Sequence, residues 1–99
     1  MITAVRTSQS APGKSSHAIE FAKEIAGYLK SKYGLDAVIK AQIGGPVGRV
    51  SMITNYDSLA EYEKTWTKIH ADPEFHKIAH KASGIMNPGH THDTLWRSV

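Results

Sequence analysis

Of the residues in this chain that could do chemistry, the six histidines stand out, and four of them fall in two pairs. His76 and His80 are four apart in a stretch of helical pattern and share a helix face, while His90 and His92 are two apart in a stretch of strand pattern and share a strand face. The intervening Asn87-Pro88-Gly89 is a turn signature that would bring the two pairs together. Imidazoles at such spacings can hold zinc, copper or haem iron. His76-Lys77-Ile78-Ala79-His80 lacks the glutamate of the HExxH metalloprotease form, however, and the plainer expectation is exposed side chains on a short helix and a loop. No metal and no cofactor are expected.

A second set of residues comes from strand parity, which groups Arg49 with Ser51 and Asn55, and His92 with Trp96. If the two faces point the same way, Ser51, Asn55, His92 and Trp96 line one polar pocket. His92 would then be the candidate base and Asn55 a hydrogen-bond donor, a pairing suited to abstracting a proton from an activated carbon. The competing expectation is that Trp96 belongs to the core with His92 merely beside it. Arg6, Lys40, Arg49 and Arg97 also sit on strand patterns, where a cation lies at an edge, snorkels to water or faces an anionic ligand. Phe21, Tyr56, Tyr62 and Trp66 could form an aromatic cage, but aromatics at helical spacing are read as core. Gly13-Lys14-Ser15 resembles the tail of a phosphate-binding loop, yet the glycine required five residues earlier is Ser8.

These residues must be positioned by four strands and two helices. Residues 2 to 8 are rich in strand formers, and a helix starting near Pro12-Gly13 carries Ala18, Phe21, Ala22, Ile25, Ala26 and Leu29 on one stripe until Gly34 stops it. A strand over residues 36 to 42 and the turn Ile43-Gly44-Gly45-Pro46-Val47-Gly48 lead by a hairpin into the strand beginning at Arg49. Asn55-Tyr56-Asp57 reads as the turn into a second helix. Ser58-Leu59-Ala60-Glu61 has the form of a capping box, and Leu59, Tyr62, Trp66 and Ile69 make the apolar face. Asp72-Pro73 restarts the helix, with proline at the first position, where no N–H is missed. The last strand spans His90 to Val99, with His92, Thr94, Trp96 and Ser98 on one face and Thr91, Asp93, Leu95 and Arg97 on the other.

Composition narrows the function classes. The chain of 99 residues holds one domain and one core. It has no cysteine, which removes disulfides, thiolate nucleophiles and zinc fingers. No apolar run approaches the ~20 residues of a spanning helix, so no membrane association and a cytoplasmic location are expected. The net charge is +3, but the lysines are interspersed with acidic residues along the helices instead of gathered on one surface, which argues against nucleic-acid binding.

The order β-α-β-β-α-β predicts an α+β, ferredoxin-like domain over residues 1 to 99: a four-stranded antiparallel sheet with its helices on one face. The other face would leave Ile, Val, Met, Trp and Leu side chains in water, and a second copy is the simplest cover, giving a two-fold homodimer. With this order, the Pro12-Gly13-Lys14 helix entry, Asp57-Ser58-Leu59, Trp66 and Asp72-Pro73-Glu74-Phe75, the chain resembles the dimeric α/β-barrel superfamily. Its small NIPSNAP-like and antibiotic-biosynthesis-monooxygenase-like members are the most similar. The resemblance spans nearly the whole chain and rests on structural motifs. It implies a homodimer with a pocket between sheet and helices for a small apolar, aromatic or polyketide-like molecule, and cofactor-free oxygenation, isomerisation or, in some branches, haem binding; the alternative is a non-catalytic ligand-binding or assembly module of the same fold.

Overall fold

In the computed structural model, which describes residues 1–99, the first strand pattern becomes one of the two central strands of the sheet. β1 (Ile2–Gln9) is followed by α1 (Ser15–Tyr33), β2 (Ala37–Ala41), β3 (Arg49–Tyr56), α2 (Leu59–His70), α3 (Pro73–Ala79), a single 3₁₀ turn (His80–Ala82) and β4 (His92–Arg97). The strands lie in the order β2-β3-β1-β4 and every neighbouring pair is antiparallel. Each β-α-β crossover leaves a gap that a strand of the other unit fills, which is the ferredoxin-like arrangement.

Local chemistry sets the helix ends. Gly34 stops α1 in the left-handed conformation (φ 65°) and donates to the Lys30 carbonyl. Ser58 caps α2 by accepting the Glu61 N–H at 3.2 Å, and Asp72 caps α3 by accepting the Glu74 N–H at 3.0 Å. β2 is one residue shorter at each end than expected and β4 stops at Arg97 instead of Val99, and three further differences have a local cause. α1 begins at Ser15, because Gly13 (φ 75°) belongs to a left-handed turn that a right-handed helix cannot contain. Asn55 and Tyr56 are strand and not turn, paired with Thr3 and Ile2 of β1. His90 precedes β4, its N–H turned back to the Asn87 carbonyl, so His90 and His92 do not share a strand.

The core lies between the helices and one sheet face. Ile25 and Leu29 of α1, Trp66 and Ile69 of α2 and Phe75 of α3 close on Ile2 and Tyr56. Trp66 Nε1 donates to the Tyr56 hydroxyl at 2.7 Å, and that hydroxyl lies 2.9 Å from Thr54 Oγ1, so this buried polar chain is satisfied. Phe21, Tyr56, Tyr62 and Trp66 are core or packed against it, as expected. Leu59, expected on the buried stripe, stays 42% exposed in the first turn of α2.

Register decides what the uncovered face carries. Ile2, Ala4, Arg6 and Ser8 point to the helix side, as do Val50, Met52, Thr54 and Tyr56 opposite them. Met52 and Leu95 are therefore not on the open face, where the sequence had suggested Met and Leu. The open face is banded. An apolar row Val38–Ile53–Val5 ends in Thr94, between a polar row Lys40–Ser51–Thr7–His92 and the row Asn55–Thr3–Trp96. β4 is exposed along its whole length, because no helix packs closely over that end of the sheet and a hollow separates Asp93 and Leu95 from Tyr62 and Trp66 of α2.

Candidate functional site

Between the helices and the covered sheet face the packing leaves a cleft of about 200 Å³, partly open to water. Thirteen residues line it and ten are apolar, among them Phe21 and Ile25 from α1, Met52 from β3, Trp66 from α2 and Phe75 from α3. The three polar ones, Arg6, Ser8 and Thr91, sit together along the seam between β1 and the start of β4. The Ser8 and Thr91 hydroxyls are 3.1 Å apart.

Arg6 is the charged group of the cleft. It stands on a central strand, on the face that buries Ile2, where a cation needs a partner. Cross-strand pairing supplies Asp93 directly opposite, and Arg6 donates Nε to Oδ1 at 2.8 Å and Nη2 to Oδ2 at 2.9 Å. These bonds hold the Asp93 carboxyl below the usual carboxylate range and push the guanidinium up, against the burial that opposes both charges. The guanidinium carbon also lies 5.6 Å from the Trp66 ring centroid, a cation–π distance. Such a lining can desolvate an apolar molecule and orient one polar head. It contains no histidine or carboxylate, and so no general base.

The four residues expected to form a pocket lie elsewhere. Ser51, Asn55, His92 and Trp96 do share a face, but it is the open one, and none lines the cleft. They occupy two separate rows: Thr7 stands between Ser51 and His92, and Thr3 between Asn55 and Trp96. Asn55 Oδ1 accepts from Thr3, Ser51 bonds Thr7 at 3.0 Å, and Trp96 Nε1 donates to Thr94. Trp96 is 61% exposed, so in the single subunit it is not core. The reason is register, since the even-numbered residues of β4 point away from the helix layer. The four histidines are likewise dispersed, with His76 donating to the His70 carbonyl at 2.6 Å, and no three metal-capable side chains converge.

Sequence reasoning placed Arg6 only among the strand cations and missed Ser8, Thr91 and Asp93. One signal was legible: Arg6 has the same parity as Ile2 and Ala4, a charge on the apolar face of a strand. Its partner, 87 residues away, had none.

A model of the NIPSNAP family matches residues 3–89, nearly the whole chain. The chain belongs to the NIPSNAP family. Solved structures agree with that membership at the level of fold. An uncharacterised NIPSNAP domain protein from Burkholderia xenovorans superposes with a TM-score of 0.85 at 15% identity, over 100% of this chain and 95% of the other. A NIPSNAP family protein from Agrobacterium tumefaciens gives 0.82 at 14% identity, over 99% and 92%. A Deinococcus radiodurans protein assigned as an antibiotic biosynthesis monooxygenase gives 0.73 at 13% identity, over 100% and 93%. At these identities the likeness shows a shared fold. No curated protein matches this NIPSNAP chain. No helix is long and apolar enough to cross a membrane.

Proposed function

We propose that this NIPSNAP protein is a cytoplasmic homodimer that binds a small apolar or aromatic molecule in the helix-side cleft of each subunit. The observation that carries it is the cleft itself: an apolar lining with three polar residues gathered at one seam, the usual composition of a small-molecule site. An apolar cavity of about 150 Å³ is enough to take up benzene, so the volume here suits a single ring with a short substituent. The lack of a base in the lining favours binding over proton transfer. Pairing is supported by the exposure of β4 and by the apolar row beside Trp96 on the open face.

A catalytic role belongs to a second arrangement. His92, Ser51, Asn55 and Trp96 share the face that pairing would enclose, so a ligand held between two sheets would meet His92 as base. Cofactor-free oxygenation or isomerisation would then take place in the barrel and not in the cleft. The assignment of the Deinococcus protein as a monooxygenase is the support from a similar fold.

Methionine methyl groups distinguish the two. In protein carrying ¹³C-methyl methionine, a panel of small aromatic and aliphatic compounds should shift Met52 and Met86, which line the cleft, and leave the exposed Met1 unmoved. Ala22→Leu, which fills the cleft, should weaken binding at least tenfold. Binding that survives Ala22→Leu but is lost in His92→Ala would move the site to the open face.

A further inference from the structure

The cleft is apolar except along the seam where Arg6, Ser8 and Thr91 meet. A guanidinium carries five N–H donors. Arg6 gives one from Nε and one from Nη2 to Asp93, and the other three have no protein acceptor. Asp93 does not line the cleft, for it borders a smaller hollow beside Tyr62 and Leu95, while Arg6 borders both. The guanidinium is thus gripped along one edge by a carboxylate outside the cleft and stacked near Trp66, with donors to spare. A side chain already fixed in this way loses little freedom when a second acceptor arrives.

We propose that the cleft selects a small carboxylic acid: a single ring or similarly short apolar body ending in a carboxylate. This rests on the cleft being the ligand site, as set out above. The body lies among Phe21, Ile25, Met52 and Phe75, and the carboxylate accepts from the free N–H groups of Arg6 with the Ser8 and Thr91 hydroxyls beside it. A carboxylate is preferred to a neutral carbonyl because two charged oxygens can take two guanidinium donors at once. The net charge of +3 favours the approach of an anion.

Phenylacetate and its neutral isostere phenylacetamide test this, titrated into the full chain and read at the Met52 and Met86 methyls. Wild type should bind phenylacetate at least tenfold more tightly. Arg6→Met should bring the two ligands within about twofold of each other. Asp93→Asn should act in the opposite sense, tightening phenylacetate severalfold and leaving phenylacetamide unchanged, because the amide oxygen can still accept from Arg6 and hold it in place while the negative charge that repels a bound anion is gone. That opposite sign separates anion recognition from a structural role for the ion pair, which would weaken both ligands in both variants. It also provides an arm that survives if Arg6→Met does not fold. Equal binding of the two ligands to wild type overturns acid selectivity and leaves the cleft as a ligand site. Unchanged or weaker phenylacetate binding by Asp93→Asn also overturns it. Silence from both ligands in wild type overturns the acid proposal, and the wider compound panel then judges the cleft by itself.

Discussion

Asp72 does two jobs with one carboxylate. Oδ1 caps α3, while Oδ2 accepts from the Tyr28 hydroxyl at 2.5 Å, the Tyr33 hydroxyl at 2.7 Å and Lys32 Nζ at 2.9 Å. The residue is 5% exposed, and these bonds tie the end of α1 to the junction of α2 and α3. Led by the Tyr28 bond, they hold the Asp72 carboxyl far below its ordinary range. The unfolded carboxyl titrates near pH ~4. The folded group binds its proton at lower pH, so the stabilisation is complete above that value and is lost as pH falls from about 5 toward the folded pKa. Asp72→Ala should therefore lower stability at pH 7 by more than Ser58→Ala, a cap of typically ~1 kcal/mol. The gap between wild type and Asp72→Ala in urea melts should hold steady from pH 7 to about pH 5 and narrow from there toward pH 3. A gap that does not change with pH would show that the charge of Asp72 contributes nothing.

Among the elements, the ends are set locally, and one constraint at the start of β3 falls on buried side chains. Gly48 has φ +86° and its carbonyl accepts the Ser10 N–H at 2.8 Å. A Cβ there would lie 2.6 Å from Ser10 Oγ, which is within reach of Ser15 Oγ at 3.2 Å and itself buried. Gly34 shares the left-handed conformation but has open space around it. Gly34→Ala should cost only the backbone term, ~1 kcal/mol. Gly48→Ala carries that term and the clash, and should cost at least about twice as much. Denaturant unfolding of the two variants checks the order. Equal losses would mean that Ser10 moves aside freely.

At the scale of the whole molecule, the proposed homodimer rests on the open face. Its apolar content is one row plus Trp96, narrower than the run of Ile, Val, Met, Trp and Leu first expected, because Met52 and Leu95 turn to the helix side. Pairing through this face would lay the Val38–Ile53–Val5 row against its symmetry mate and leave the hydroxyl and amide rows to bond around it. Sedimentation equilibrium should find a dimer for wild type. Ile53→Lys, which places an unpaired charge in that row, should raise the dissociation constant by about a hundredfold or more. A wild-type chain that sediments as a monomer at high concentration would exclude the homodimer.

Features that depend on near neighbours were legible in the chain of residues alone. Capping at Ser58 and Asp72, the stop at Gly34, the order of strands and helices, and the parity that puts Ser51 with Asn55 and His92 with Trp96 all follow from residues a few positions apart. Side-chain periodicity reports which residues share a face, but not which face the helices will cover. That is settled when Ile2, Tyr56 and Trp66 close into one core. That Arg6 meets Asp93 across the strand register, and that Ser8 and Thr91 join Arg6 along the polar seam of the cleft, follows only from the packed sheet. Pairings across more than 80 residues are set by the packing of the whole sheet, and no local pattern encodes them.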